Sequence, residues 1–159
     1  MDPNLSKAIV DFFMGIPIFS RMNAEEVKLV AKHMNVIELQ PGETLFQESD
    51  RGNFMCFIAH GALDVIKQPG RADQEIIITA VRKGQSIGEM SVIENMPRSA
   101  TIKARDNAKL FILSQAAFDL ILSKHSNIGI KLLKGITILL SNNLRKTSSR
   151  LADYMLPIS

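Results

Sequence analysis

The chain has 159 residues, 46% of them hydrophobic and 22% charged, which is the balance of one globular domain with a real core and not of a disordered segment. A net charge of +3 is too small to make nucleic acid or an anionic membrane the main partner, and a single cysteine, Cys56, excludes an internal disulfide framework and a multi-cysteine zinc site. No run reaches the ~18 uninterrupted apolar residues of a membrane span.

The nearest candidate for a span, Ile128 to Leu140, is broken by Lys131 and Lys134. The N-terminus lacks a basic region and carries Asp11 inside its apolar stretch, so no secretory leader is expected and a reducing, cytoplasmic setting fits. Residues 1–35 read as a helical segment, with Leu5, Ile9, Phe12 and Phe13 at helical spacing. Asn23 followed three residues on by Glu26 is a capping-box start for a second short helix, whose apolar face is Val27, Val30, Ala31 and Met34.

Residues 36–113 change character. Six of the nine glycines fall here, at 42, 52, 61, 70, 84 and 88, and they cut the segment into short β-rich pieces. The pieces are NVIEL, ETLFQ, FMCFIAH, ALDVIKQ, EIIITAVR, QSIGE, SATIKAR and AKLFIL, separated by turn chemistry such as QPGE, ESDRGN and QPGRADQ. About eight short strands at this spacing point to an antiparallel sandwich or barrel. The expected fold is mainly β: an eight-stranded antiparallel jelly-roll barrel with N-terminal helices and a long C-terminal helix, together one compact domain.

Residues 114–159 return to helix. Ser114 is placed to cap QAAFDLILSKH, and Ser126 or Asn127 to cap a longer helix running toward Met155. Within it Leu133, Ile136, Leu140, Asn143 and Thr147 alternate three and four residues apart, the seam of a coiled-coil partner. A helix that merely packs on the barrel is the plainer alternative.

The stretch Ile87 to Ala104, IGEMSVIENMPRSATIKA, carries the most chemistry. Gly88 has no Cβ to obstruct a ligand. The N–H groups of Met90 and Ser91 would open a short helix, where free donors and the dipole favour an anion. Arg98 offers a planar, permanently charged fork to phosphate oxygens. Glu89 makes sense beside that anion only if it faces a hydroxyl donor or pairs with Arg98; an ordinary surface Glu–Arg pair is the competing reading.

Gly88-Glu89-Met90-Ser91 followed by Arg98-Ser99-Ala100 resembles the phosphate-binding cassette of the cyclic-nucleotide-binding domain family. Pro97 before the arginine makes it more similar to the kinase regulatory subunits than to the bacterial catabolite activator. Upstream, Pro41-Gly42-Glu43-Thr44-Leu45 and Phe57 to Leu63 match the family's barrel motifs, and Phe118 to Leu122 its following helix. The resemblance implies that Glu89 accepts from the ribose 2′-OH and that Arg98 pairs with the cyclic phosphate. It further implies that the Ser91 N–H contacts the phosphate, helped by the Ser99 hydroxyl. Three positions depart from the family: Ser91 for Ala or Gly, Ser49 where a loop glycine is usual, and Cys56 where Tyr is common.

The long helix resembles the dimer helix of the catabolite activator family, where a Thr-Ser pair, one residue from each subunit, reads the adenine. Thr147 and Ser148 fall on that pattern, so cAMP leads as ligand; a hydroxyl after the cassette arginine, here Ser99, also occurs in cGMP-selective members. A homodimer through the helix and a downstream effector protein are the implied partners. No cofactor is implied, and with no DNA-recognition helix before Ser159, no nucleic acid is expected. An enzyme is not expected: His33, His60 and His125 are not at metal-ligand spacing, and Cys56 reads as a core thiol. A non-binding dimerisation module and the regulatory fragment of a larger protein stay open.

Overall fold

A computed structural model describes residues 3–69 and 74–155, with side chains from Lys7 onward in the N-terminal helix. Gly70 of the QPGRADQ turn, the side chain of Leu5 and the last four residues lie outside the described residues. Helix α1 (Pro3–Met14) is followed by a 3-10 turn at Pro17–Phe19 and helix α2 (Ala24–Ala31). Strands β1 (Asn35–Leu39), β2 (Thr44–Phe46), β3 (Phe54–His60), β4 (Ala62–Lys67), β5 (Ile76–Arg82) and β6 (Ser86–Ile87) come next. Helix α3 (Glu89–Glu94), β7 (Thr101–Ala104), β8 (Ala108–Ser114), α4 (Gln115–Lys124) and α5 (Ser126–Met155) complete the chain.

The strands form two antiparallel sheets of four, ordered β1-β8-β3-β6 and β2-β7-β4-β5. The expected eight-stranded barrel does not close among the described residues. Closure needs a ladder carried from one sheet's rim to the other's. The rim strands β6 and β2 are only two and three residues long, and β2 slips register against β7 between Thr44 and Phe46.

The core explains why β3 is an unbroken apolar run. Met55 and Phe57 point to the helices, where they pack with Phe13, Phe19, Phe118, Leu132 and Ile136. Cys56 and Ile58 point the other way, between the sheets, with Leu63, Ile102 and Leu110. A strand buried on both faces loses the alternation that marks a half-exposed one. On the helix side, Phe13 lies edge-on to Phe19, Phe57 and Phe111 at ring distances of 5.1, 5.5 and 5.0 Å.

Local capping follows the residues expected for α2 and α4. The Glu26 N–H donates to Asn23 Oδ1 and the Asn23 N–H to Glu26 Oε2, each at 3.0 Å. The Ala117 N–H donates to Ser114 Oγ at 3.1 Å. For α5 the expectation is corrected. The Gly129 N–H donates to the His125 carbonyl at 2.9 Å, which makes His125 the cap and puts Ser126 inside the first turn.

The seam is corrected as well. Ile136 is fully buried against its own chain, and Gly135 lies on the backbone of Ile18, where any Cβ would collide. The first half of α5 is therefore clamped to the 3-10 turn. From Asn142 onward every described side chain of α5 is exposed. The three–four repeat that stays accessible or half-buried runs through Ile130, Leu133, Thr137, Leu140, Leu144, Thr147 and Leu151. It keeps Leu133, Leu140 and Thr147 of the expected seam, with Thr137 and Leu144 in place of Ile136 and Asn143.

Candidate functional site

Between the inner face of the second sheet, α3 with the segment after it, and the middle of α5 lies a cavity of about 520 Å³. Phe46, Val65, Val81 and Ile102 form its sheet wall, Gly88 to Ser91 and Met96 to Ala100 its charged end, and Leu140, Asn143, Leu144 and Thr147 its helical side.

Arg98 is only 4% exposed, and its Nε, Nη1 and Nη2 atoms have no hydrogen-bond partner among the described residues. Its guanidinium is held between two rings, 3.8 Å from the centroid of Phe46 and 4.4 Å from that of Phe54. Cation–π contact supports the charge without using its N–H donors. The β2–β3 loop fixes the backbone: the Arg98 N–H donates to the Asp50 carbonyl at 2.8 Å, and the Ser49 N–H donates to the Arg98 carbonyl at 2.9 Å. Burial pushes the guanidinium below its ordinary range, while Asp50 and Glu89 nearby pull it back. A guanidinium stays charged at any ordinary pH, so this is a buried cation with its donors unspent.

Glu89 is also buried, 7% exposed, and accepts a hydrogen bond from the Ser86 hydroxyl. Burial raises its carboxyl above the usual range, against the opposing effects of Ser86 and Arg98. The surface-pair reading of Glu89 and Arg98 fails on both counts: neither is at the surface, and no ion pair joins them among the described residues. The two face the same cavity separately.

Two glycines make this packing fit. Gly88 has φ +84°, and a Cβ there would lie 2.6 Å from Arg98 Nη1 and 2.9 Å from the Phe54 carbonyl oxygen. Gly52 supports Ser91, which is buried, and a Cβ on it would come 3.2 Å from Arg98 Nε. The glycine after β6 thus admits the arginine side chain and β3, whereas the sequence suggested room for a ligand. Ser49, the loop departure, adopts a left-handed φ of +72°, the conformation for which glycine is suited.

The structure places Gly88, Glu89, Met90, Ser91, Arg98, Ser99 and Thr147 on the cavity wall, with Met90 and Thr147 exposed at its mouth. Ser148 is exposed and does not line the cavity of its own chain. The Ser91 N–H already donates to the Gly88 carbonyl at 3.2 Å, a long bond. Asn143, read from spacing as a seam residue, lines the cavity. Phe46 and Phe54 carry no site signal in the sequence, because only the pairing of distant strands brings them to Arg98. Ser86 lies three residues before Glu89 and is a local partner that residue type alone does not single out. Cys56 is buried behind them, and burial raises its thiol well above the usual range, so it stays protonated.

The family model described as "Cyclic nucleotide-binding domain" matches residues 36–125, more than half of the chain. The cAMP-dependent protein kinase regulatory subunit of Mycosarcoma maydis is 28% identical over 122 residues, covering 74% of this chain and 23% of that protein. The chain spans under a third of the length of the curated relatives it matches. Among solved structures, a cyclic nucleotide-binding domain from Methylobacillus flagellatus superposes with a TM-score of 0.83 at 28% identity, over 97% of this chain and 86% of that one. The Thermus thermophilus catabolite activator protein shares the fold at a TM-score of 0.75 and 23% identity, over 86% of this chain and 62% of that one.

Proposed function

The chain belongs to the cyclic-nucleotide-binding domain family, and from that premise we propose that it is a regulatory sensor of cAMP whose phosphate is held by Arg98. One observation carries the reading: a buried guanidinium with three unpartnered nitrogens facing a cavity. An unpaired buried charge is costly, and a cyclic phosphate brings the anionic oxygens that a guanidinium fork is shaped to bind. Glu89 accepts from the ribose 2′-OH, and Ser91 and Ser99 stand at the phosphate end. Ser99, exposed on the wall beside Arg98, supports cGMP as the second reading.

Output runs through α5. Its first half is fixed at Gly135, while Leu140, Leu144 and Thr147 border the ligand cavity on the half that leaves the core. A ligand touching that half shifts its position only as far as it prefers one arrangement over the other. The accessible stripe through Leu133, Leu140, Leu144 and Leu151 suits a second copy of the helix, which would bring its Ser148 toward this cavity. In this account a cytoplasmic homodimer passes the signal to an effector protein, and no catalytic step is assigned to the domain.

Calorimetric titration with cAMP, cGMP and 2′-deoxy-cAMP tests the ligand. Saturable cAMP binding with a markedly weaker deoxy analogue is expected; absence of binding to either cyclic nucleotide overturns the reading. Light scattering on wild type and Leu144→Asp tests the dimer, which the charged variant should split into monomers.

A further inference from the structure

We propose that Asn143 is the residue that selects adenine over guanine, an inference that rests on the cavity being the cyclic-nucleotide site. With Arg98 and Glu89 fixing the phosphate and ribose, the remaining wall is what a planar base meets. That wall is mostly apolar, with Val65, Met96, Leu140 and Leu144 suited to its faces. The polar side chains available to its edge, away from the Arg98 and Glu89 end, are Glu94, Asn143 and Thr147.

Their chemistry separates them. A hydroxyl such as that of Thr147 serves as donor or acceptor, so it satisfies either purine. The Glu94 carboxylate only accepts, so it offers nothing to N7; it could take the adenine N6–H2 or the guanine N1–H and N2–H2, and so does not favour adenine. The Asn143 amide presents a donor and an acceptor side by side, the complement of the adenine N6–H2 and N7 edge. Guanine shows two acceptors, O6 and N7, on that same edge, which leaves the amide oxygen facing an acceptor.

The setting of Asn143 agrees with this role. Asparagine is a poor helix former in a helix interior, yet it stands in the middle of α5, exposed and with its amide making no hydrogen bond among the described residues. The adjacent Asn142 does not line the cavity. Only one of the pair is in position to read a base.

The test is calorimetric titration of wild type, Asn143→Ala and Arg98→Leu with cAMP and cGMP, with light scattering to confirm one oligomeric state. Wild type should prefer cAMP by about tenfold or more, the range for one bidentate amide–adenine pair. Asn143→Ala should bring that preference close to parity by weakening cAMP while leaving cGMP nearly unchanged. A role in helix packing alone would move both affinities together. A preference that survives in Asn143→Ala overturns the assignment, as does a wild type that prefers cGMP. If Arg98→Leu abolishes binding of both while Asn143→Ala keeps its preference, the sensor reading stands and this inference falls. If wild type binds neither nucleotide, both fall.

Discussion

Phe13 and Arg98 are both buried side chains, but opposite rules govern their surroundings. Phe13 is fully buried in a nest of rings on the helix side of β3, where every neighbour is apolar and the packing needs nothing from outside. Arg98 is packed between two rings as well, yet its charged donors end at a cavity with no partner among the described residues. The first region contributes stability on its own. The second holds a cation without a hydrogen-bond partner among the described residues, and under the proposed function a ligand anion relieves it.

Changes in the two regions should therefore separate stability from binding. Phe13→Ala leaves a cavity among rings and is expected to cost about 3–5 kcal/mol of unfolding free energy, read from urea melts, while the folded fraction keeps its nucleotide affinity. Equal losses of stability and affinity would break the comparison.

Glu89→Gln should act on the other side, weakening cAMP by about 1.5–3 kcal/mol, the range for a hydrogen bond to a charged group. The 2′-deoxy analogue should lose little further in titrations of the variant. The same substitution sharpens the pH behaviour. Because burial raises the folded Glu89 carboxyl, the folded state takes up a proton more readily than the unfolded chain. Its contribution to stability is full below the ordinary glutamate range and is lost as pH rises through the raised folded value. In ligand-free protein Glu89→Gln should remove that decline from a plot of Tm against pH.

The smallest effect belongs to the loop that clamps Arg98. Ser49 sits at φ +72°, a region that costs a non-glycine residue roughly 1 kcal/mol. Ser49→Gly should raise stability by about that amount in urea melts and leave the nucleotide dissociation constant unchanged. A large change in affinity would show that the hydroxyl does more than occupy the turn.

What the sequence revealed of this arrangement follows the range of each signal. The Asn23–Glu26 capping box and the Ser114 cap were legible because their partners lie three residues away. The spans of β1 and β3 were legible from turn chemistry on either side of apolar runs. Barrel closure is not legible in the sequence, because strand count says nothing of whether β2 and β6 are long enough to carry a closing ladder. The side on which Ile136 packs is not legible either, because a three–four repeat fits both a partner helix and the chain's own core, and the contact of Gly135 with Ile18 decides between them. At the site, Glu89 and Arg98 stood out by residue type and by resemblance. Phe46 and Phe54, which sandwich the guanidinium, are indistinguishable in sequence from other strand phenylalanines.

The central claim is that Arg98 is kept buried and unpartnered for a ligand anion, and thermal unfolding of wild type and Arg98→Leu with and without cAMP tests it most directly. An uncompensated buried charge is costly to stability, so the ligand-free variant, relieved of it, should melt at or above the wild-type Tm. Saturating cAMP should raise only the wild-type Tm, by the equivalent of about 2.7 kcal/mol at a hundredfold excess over Kd. A variant that melts far below wild type without ligand, or gains as much from cAMP as wild type does, would contradict the account.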